Sequence, residues 1–394
     1  MPDLIKIIDW FRNPVHQLNI FNPVWEKEAL FKSAFKNSGY VNSIGQGTAM
    51  EGLDTLLLSI RNQDSLHLIG EITLYTLIKR SIRNRSRYLH IRENNKNKDF
   101  PLNPPIIITG LSRSGTTFLH RLLSINPELY AFPLWELFDP FTRSGIRDVR
   151  KLKTKSEINV KNILLPDLDK KHYTRANNTE ECIMLLANSF NSQLFIDIAP
   201  LPEYLEWIIG ADRYETYQEY YDQLRILQSF HPDKRFILKA PNHLGNLNEL
   251  IKYIPEATVI QMHRSPLECI NSLASLRQTL YRIVTREVNM HETKNQIIKL
   301  FENEIARNLE FHESFPDRVL SLSYKKLVSD PIGNLKDIYA KAAILWTDTL
   351  KDISTNYIDD LKNLRGSHNY KQENLDKPMP DSIVKYEAHF KDLL

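Results

Sequence analysis

A loop of small, hydroxylated and basic residues offers groups that can bind a phosphate. Residues 110–117 read Gly-Leu-Ser-Arg-Ser-Gly-Thr-Thr, directly after a short apolar run and before a predicted helix. The N–H groups of such a loop and of the helix N-terminus converge on an anion. Gly110 and Gly115 have the spacing of the nucleotide-triphosphatase pattern G-x-x-x-x-G-K-[ST], but Thr116 occupies the lysine position. A basic residue, Arg113, lies three residues earlier, so the loop predicts phosphate binding and disfavours ATP or GTP hydrolysis.

Two further basic residues each follow an apolar run that predicts a buried strand. Lys239 ends the run 235–239, and Arg264 directly follows the run 257–263. A guanidinium forms forked, charge-assisted hydrogen bonds to a phosphate. Ser272 lies eight residues after Arg264, two turns into a predicted helix, where its hydroxyl adds a donor on the same side. The pattern therefore predicts several phosphate-binding groups at the ends of neighbouring strands.

These residues resemble the sulfotransferases that use 3′-phosphoadenosine 5′-phosphosulfate (PAPS) as the sulfuryl donor. The resemblance covers residues 103–331 and is strongest to the broad bacterial-type members of the family. It implies that the loop holds the 5′-phosphosulfate, and that Arg264 and Ser272 hold the 3′-phosphate. Tyr324, in a segment similar to the family's Y-x-x-L-x-x-D-P, would lie beside the adenine. The implied donor-binding residues are Arg113, Ser114, Gly115, Thr116, Thr117, Arg264, Ser272 and Tyr324.

The same resemblance implies catalytic roles. Negative charge builds on the bridging oxygen of the leaving bisphosphate, where Arg113 and Lys239 are the expected cations. Because a sulfuryl group carries less charge than a phosphoryl group, we expect no metal cofactor. The acceptor needs a general base, and two candidates stay open. His243 is preferred because it lies close in sequence to Lys239, although the family's base histidine position holds Pro241. Glu136 comes from the region that supplies the base in the tyrosylprotein and bacterial trehalose types.

Other interpretations of the chain stay open. A P-loop nucleotide kinase or hydrolase would require Mg²⁺-dependent ATP turnover, and a non-catalytic binding protein on the same fold would bind the nucleotide without chemistry. For an enzyme of the favoured class we expect a small acceptor, lipid-like or aromatic, that offers a hydroxyl or amine. Glu180 and Glu181 begin a helix predicted over residues 179–191, where carboxylates favour the helix dipole, so we expect them to act as caps.

Composition excludes several functional classes. The 394 residues carry a formal net charge of +3 with no long basic block, so nucleic acid is not an expected partner. Lys151 to Lys155 reads as a solvated loop. Cys182 and Cys269 suggest neither a disulfide framework nor a metal site, which favours a reducing, cytoplasmic location. No apolar run approaches the length of a membrane span, and residues 1–6 lack the pattern of a signal peptide.

Hydrophobic periodicity predicts an α/β protein with a mainly parallel central sheet, and the resemblance implies a three-layer fold of the P-loop type. Residues 1–100 read as a helical N-terminal lobe, and residues 101–394 as a sulfotransferase α/β domain with a helical insertion at about 140–230. Residues 365–370 are the best counterpart of the C-terminal cofactor clamp of the cytosolic sulfotransferases, and a flexible charged tail is the alternative interpretation. The sequence does not predict the oligomeric state. The predicted strands are 105–109, 235–239, 257–263 and 318–323.

Overall fold

A five-stranded, wholly parallel sheet organises the chain in the computed structural model, which describes residues 8–18, 20–36, 44–94, 100–141, 148–164, 174–364 and 378–394. The strand order is β2-β3-β1-β4-β5. The strands are β1 (Ile106–Gly110), β2 (Leu129–Ala131), β3 (Arg235–Lys239), β4 (Thr258–His263) and β5 (Val319–Ser323).

The predicted strands are confirmed to within one residue at each end, and one strand was missed. Ile106, Ile107 and Ile108 alternate between two faces of β1, and all three are fully buried, as the β-branched run predicts. The missed strand, β2, has only three residues and pairs with β3 from Leu129↔Arg235 onward. Three residues are too few to show the alternating hydrophobic pattern of a strand. The segment is therefore recognised as a strand only by its pairing with β3.

Helices fill the connections between the strands. Before β1 lie α1 (Arg12–Gln17), α2 (Lys27–Phe35), α3 (Thr48–Arg61) and α4 (Leu68–Asn94). Between β1 and β3 lie α5 (Thr116–Leu123), α6 (Leu134–Phe138), α7 (Arg150–Leu164), α8 (Ile183–Ala187), α9 (Leu194–Ile198), α10 (Pro202–Gly210) and α11 (Tyr214–Phe230). The rest are α12 (Leu247–Tyr253), α13 (Pro266–Val284), α14 (Met290–Ser314), α15 (Tyr324–Ser329), α16 (Pro331–Lys341), α17 (Asp348–Leu364) and α18 (Asp381–His389), with 3₁₀ turns at Pro241–Asn246 and Lys391–Leu393.

Hydrophobic clusters cover both faces of the sheet. Ile107 packs with residues of α8, α11 and α12 on one face, whereas Ile108 packs with residues of α5 and α16 on the other. These layers confirm the predicted α/β class. A separate cluster joins α3 and α4 to α9 and α10, through residues such as Leu56, Ile78 and Tyr204. The helical N-terminal segment therefore packs on the insertion, and the division into two domains at residue 100 stays a prediction.

Some local expectations were wrong. Lys151 to Lys155 lie on α7 and not in a loop, because Thr154 and Ile158 are buried one turn apart and anchor a helix whose lysines favour helical structure. The helix expected over 179–191 is only Ile183–Ala187. The clamp candidate at 365–370 falls outside the described residues. Within the described ranges, no helix has the length and apolar character needed to cross a membrane.

Candidate active site

The loop between β1 and α5 has a conformation that only particular residues can adopt. Gly115 has φ +100°, and an added Cβ would lie 2.5 Å from the Tyr324 ring. Arg113, which is not a glycine, has φ +76°. A left-handed conformation costs such a residue about 1–2 kcal/mol, and strain of this kind is typical of functional loops. The loop therefore has a strained, fixed shape in which Gly115 packs directly against Tyr324.

The predicted phosphate-binding residues meet at this loop. The Arg113 side chain donates from Nε to Ser272 Oγ at 3.1 Å. Arg264 donates from Nη1 to the Arg113 carbonyl at 3.1 Å, and its guanidinium lies 4.6 Å from the centre of the Tyr324 ring. Glu268, in the first turn of α13, accepts from Arg264 Nε at 2.7 Å. The ends of β1, β4 and β5 thus bring these side chains together, as the parallel sheet requires.

Lys239 reaches the same place from the end of β3. Its side chain is 2% exposed and donates to Thr117 Oγ1 at 3.2 Å. It also forms an ion pair with Glu181. In the loop itself, the Ser114 hydroxyl is buried with no hydrogen-bond partner among the described residues. A buried unsatisfied hydroxyl beside several cations fits an anionic ligand, because it offers a donor that nothing in the described protein uses.

The expectation that Glu180 and Glu181 cap a helix was wrong. The helix α8 begins at Ile183, its N-cap is Cys182, and no side chain forms a capping hydrogen bond. Glu181 instead pairs with Lys239. The two carboxylates thus belong to the site. Sequence reasoning missed this because a carboxylate just before a helix usually stabilises the helix.

The Glu180 carboxyl has an unusual environment. It is 7% exposed, and its Oε1 has no hydrogen-bond partner within the described part of the chain. Burial raises the pKa of Glu180 to about 7, with Lys239 lowering the pKa and Glu181 raising it again. A carboxylate with a pKa near neutrality can accept a proton under physiological conditions.

The two residues named as candidate bases lie elsewhere. His243 is fully buried: Nδ1 lies 2.8 Å from the Tyr217 hydroxyl, and Nε2 lies 3.4 Å from Cys182 Sγ. Burial lowers the pKa of His243 to about 3. Glu136 accepts from the Tyr130 hydroxyl at 2.6 Å and contacts His231 Nε2 at 2.7 Å. Neither His243 nor Glu136 lines the cavity described next.

A large cavity extends from the loop between α4 and α13. Its volume is about 990 Å³, at the upper end of the roughly 300–1,000 Å³ that small-molecule sites occupy. Arg113, Arg264 and Tyr324 line one part, together with Glu180 and Glu181. The rest is mostly apolar. On α13 the lining runs from Leu273 to Val284, a length of about 16 Å at the helical rise.

Polar pairs interrupt the apolar wall, among them Arg277 with Asp197. Arg277 is 1% exposed and donates from Nη2 to Asp197 Oδ1 at 2.7 Å, and both residues line the cavity. Arg277 lies five residues after Ser272, so it follows the phosphate-binding part of α13 by one to two turns. Sequence reasoning missed this pair because its members are 80 positions apart. Among the described residues, no group of histidine, cysteine, aspartate or glutamate could hold a metal ion.

Comparisons with known proteins agree with this geometry. The model of the sulfotransferase family matches residues 104–348. Among curated proteins, the omega-hydroxy-beta-dihydromenaquinone-9 sulfotransferases Stf3 of Mycobacterium tuberculosis and Mycobacterium bovis are each 26% identical over 253 residues, 60% of this chain. The aligned part is 62% of each relative, so the chain matches less than two thirds of their length.

Solved structures show the same fold. The sulfotransferase STF9 from Mycobacterium avium has a TM-score of 0.82 at 21% identity, covering 95% of this chain and 98% of that one. The sulfotransferase STF1 from Mycobacterium tuberculosis has a TM-score of 0.72 at 22% identity, covering 93% and 99%. The family match spans more than half of the chain and includes the phosphate loop, Lys239 and Arg264. The chain therefore belongs to the sulfotransferase family.

Proposed function

We propose that this chain is a PAPS-dependent enzyme that transfers the sulfuryl group to a hydroxyl of a lipid-like acceptor. The observation that carries the proposal is the position of the large apolar cavity, which reaches the cation-rich phosphate loop. A sulfotransferase must hold a doubly phosphorylated nucleotide and an acceptor on opposite sides of one reacting sulfur atom. The cavity offers a polar end and an apolar end for these two molecules.

The donor would be held by groups from three strand ends. The loop N–H groups and Arg113 to Thr117 are proposed to bind its 5′-phosphosulfate. Arg264 and Ser272 are proposed to bind the 3′-phosphate, with Tyr324 beside the adenine. The contact between Arg113 and Ser272 at 3.1 Å supports this, because these two residues are proposed to bind the two phosphate groups of one nucleotide. Arg264 pairs with Glu268 in the same structure, so an incoming phosphate would compete with a carboxylate.

The chemistry forms an S–O bond to the acceptor oxygen and breaks the S–O bond to the donor phosphate. The leaving bisphosphate gains negative charge, and Lys239 and Arg113 are proposed to stabilise it. Lys239 suits this role because it is held beside Thr117 and is almost fully shielded from solvent. Its charge interacts more strongly with other charges there than it would in water. Glu181 is proposed to orient the Lys239 ammonium through their ion pair.

The acceptor proton must go to a base, and we propose Glu180. Its carboxyl lines the cavity, has an unused oxygen and sits beside the catalytic cations. His243 and Glu136 stay weaker candidates. The two ring nitrogens of His243 and the two carboxylate oxygens of Glu136 already contact residues that do not line the cavity. The proton would leave the acceptor hydroxyl for the Glu180 carboxylate as the new S–O bond forms.

The apolar lining supports a lipid-like acceptor, with an amine as the alternative nucleophile to a hydroxyl. Ile69 and Ile72 of α4 line the cavity together with Leu280 and Val284 of α13. Burial of an extended apolar chain there gains about 25 cal/mol per Å². Two curated relatives are named for a hydroxylated menaquinone, which agrees with an acceptor of this kind.

A cytoplasmic location stays a prediction. It is supported by Cys182 and Cys269, which are both buried and unpaired.

Calorimetry tests the donor assignment. We expect adenosine 3′,5′-bisphosphate to bind without Mg²⁺, and ATP to bind much more weakly, because ATP has no 3′-phosphate for Arg264. Tight Mg²⁺-dependent binding and turnover of ATP would favour a P-loop kinase or hydrolase instead. Bisphosphate binding with no transfer to any alcohol would favour a non-catalytic binding protein.

A further inference from the structure

The helix α7 has an apolar stripe on its exposed side. Val149, directly before the helix, Leu152, Val160 and Ile163 are 50%, 64%, 53% and 75% exposed. With Ser156 they follow the spacing i, i+3, i+7, i+11, i+14, which places all five on one side of a helix. A helix normally turns such a stripe toward the protein core. Here it faces outward, and we call these five residues the α7 stripe.

The outward direction of the stripe follows from how the other side of α7 is fixed. Thr154 and Ile158 are buried beneath it. Arg80 of α4 pairs with Glu157 at 2.6 Å, and Arg150 donates to the Asp139 carbonyl at 2.7 Å. One side of α7 therefore packs on the protein core, and the α7 stripe is a second apolar surface on the opposite side.

Basic side chains flank the stripe. Lys151, Lys153 and Lys155 are all exposed, while Glu157 points toward its partner on α4. An exposed apolar strip bordered by lysines is the pattern of a helix that lies in the interface of a membrane. Each lysine near an anionic lipid surface strengthens binding by about fivefold at moderate salt.

The α7 stripe continues into the cavity. Ser156 and Val160 belong both to the stripe and to the cavity lining. Across the opening, Ile72 of α4 also lines the cavity and is 42% exposed. An apolar path thus leads from the outer surface of α7 to the space beside the phosphate loop.

We propose that the α7 stripe docks on an anionic lipid surface, so that an apolar acceptor enters the cavity directly from the bilayer. This inference rests on the proposed function for the identity of the cargo, but the docking surface itself does not require catalysis. A lipid surface matches both features of α7, because lipid tails take up the apolar stripe and anionic headgroups pair with the lysines. The arrangement also spares an apolar acceptor from crossing water.

Vesicle sedimentation tests the proposal with the full chain. Vesicles of phosphatidylcholine alone are compared with vesicles that also contain phosphatidylglycerol, at low and at high salt. We expect binding to the anionic vesicles that weakens with salt. The double variant Leu152→Ser with Ile163→Ser should bind them more weakly, by on the order of 10- to 100-fold. The double variant Lys151→Gln with Lys155→Gln should lose on the order of 10-fold or more, with less salt dependence.

Matched controls lie on other elements. Leu345→Ser with Val384→Ser removes two side chains that are 78% and 52% exposed, and Lys336→Gln with Lys385→Gln removes two exposed lysines. Both controls should bind as the unchanged chain does. The proposal is overturned if the unchanged chain binds neither kind of vesicle, or if controls and α7 variants lose equally. It is also overturned if light scattering shows that the α7 stripe joins two protein chains instead.

Binding of adenosine 3′,5′-bisphosphate is measured on the same preparations. All variants lie outside the donor site, so we expect each to bind the bisphosphate normally, which also shows that it is folded. If the chain binds the bisphosphate but not the vesicles, only the proposed docking surface is contradicted. Vesicle binding without bisphosphate binding supports the docking surface and contradicts the proposed function.

Discussion

Two adjacent carboxylates in the site have different surroundings and therefore different chemistry. Glu181 forms an ion pair with Lys239, which is itself buried. Glu180 has an oxygen with no partner in the described structure, and burial raises its pKa to about 7. One carboxylate thus fixes a cation, while the other is available to take a proton. In many enzymes two neighbouring carboxyl groups have different surroundings, and this difference gives them separate acid–base roles.

The Glu180→Gln variant tests the proposed base. The folded-state pKa near 7 means that the Glu180 carboxyl loses its proton as the pH rises through about 7, so turnover of the unchanged enzyme should rise over that range. The variant should lower kcat by about 100- to 10,000-fold and should no longer show this rise. Steady-state kinetics from pH 5.5 to about 8.5 measure both effects. Glu136→Gln and His243→Asn are the comparison variants, and a larger loss in either one would restore that residue as the base.

The Arg264→Ala variant tests the 3′-phosphate site. Loss of a charged hydrogen-bond donor should weaken binding of adenosine 3′,5′-bisphosphate by about 1.5–3 kcal/mol. AMP, which lacks the 3′-phosphate, should bind almost as before. Arg282→Ala removes an exposed arginine from the same helix and should affect neither ligand. Titration calorimetry with both nucleotides distinguishes the outcomes, and equal losses for AMP and the bisphosphate would refute the assignment.

At the scale of elements, the site depends on the parallel sheet and on one helix. The carboxyl ends of β1, β3, β4 and β5 meet at one edge, so Arg113 and Tyr324, which are 211 positions apart, line the same cavity. In the proposed reaction α13 serves both ligands, because its first two turns carry Ser272 and its later turns line the apolar cavity. A helix fixes the distance between these two proposed sites more firmly than a loop would.

The Gly115→Ala variant tests the shape of the phosphate loop. An added Cβ would lie 2.5 Å from the Tyr324 ring, in a backbone conformation at φ +100° that strains any other residue. We expect a loss of about 1 kcal/mol or more in unfolding free energy, together with weaker bisphosphate binding. Gly210→Ala is the matched control, since its Cβ would meet nothing within 4 Å. Denaturant unfolding should show little change or a small gain for this control.

The Leu280→Trp variant tests the apolar part of the cavity. Leu280 lines the cavity two helical turns beyond Leu273, so a larger side chain there should shorten the space for an acceptor chain. We expect KM for a long-chain alcohol to rise about 10-fold or more, with bisphosphate binding unchanged. A short-chain alcohol should be affected far less. Equal effects on both alcohols would mean that the acceptor chain does not lie along α13.

At the scale of the whole molecule, the sequence predicted what local patterns encode. The buried strands and the α/β class were read correctly because β-branched runs are local signals, whereas phosphate binding by the loop stays a prediction. The sequence did not predict the short edge strand β2, the helix α7 or the role of Glu181. Each of these depends on a distant partner, such as Arg235 for β2 or Lys239 for Glu181. Sequence spacing alone contains no information about such pairs.

We propose that a donor site and an apolar acceptor cavity act together in sulfuryl transfer. Incubation of the chain with PAPS and a long-chain alcohol, without added metal, tests this directly when the products are followed by mass spectrometry. We expect a sulfated alcohol and adenosine 3′,5′-bisphosphate in equal amounts, with both lost in the Lys239→Ala variant. Bisphosphate formed without any sulfated alcohol, or equal turnover in the Lys239→Ala variant, would show that the two sites do not act together in this way.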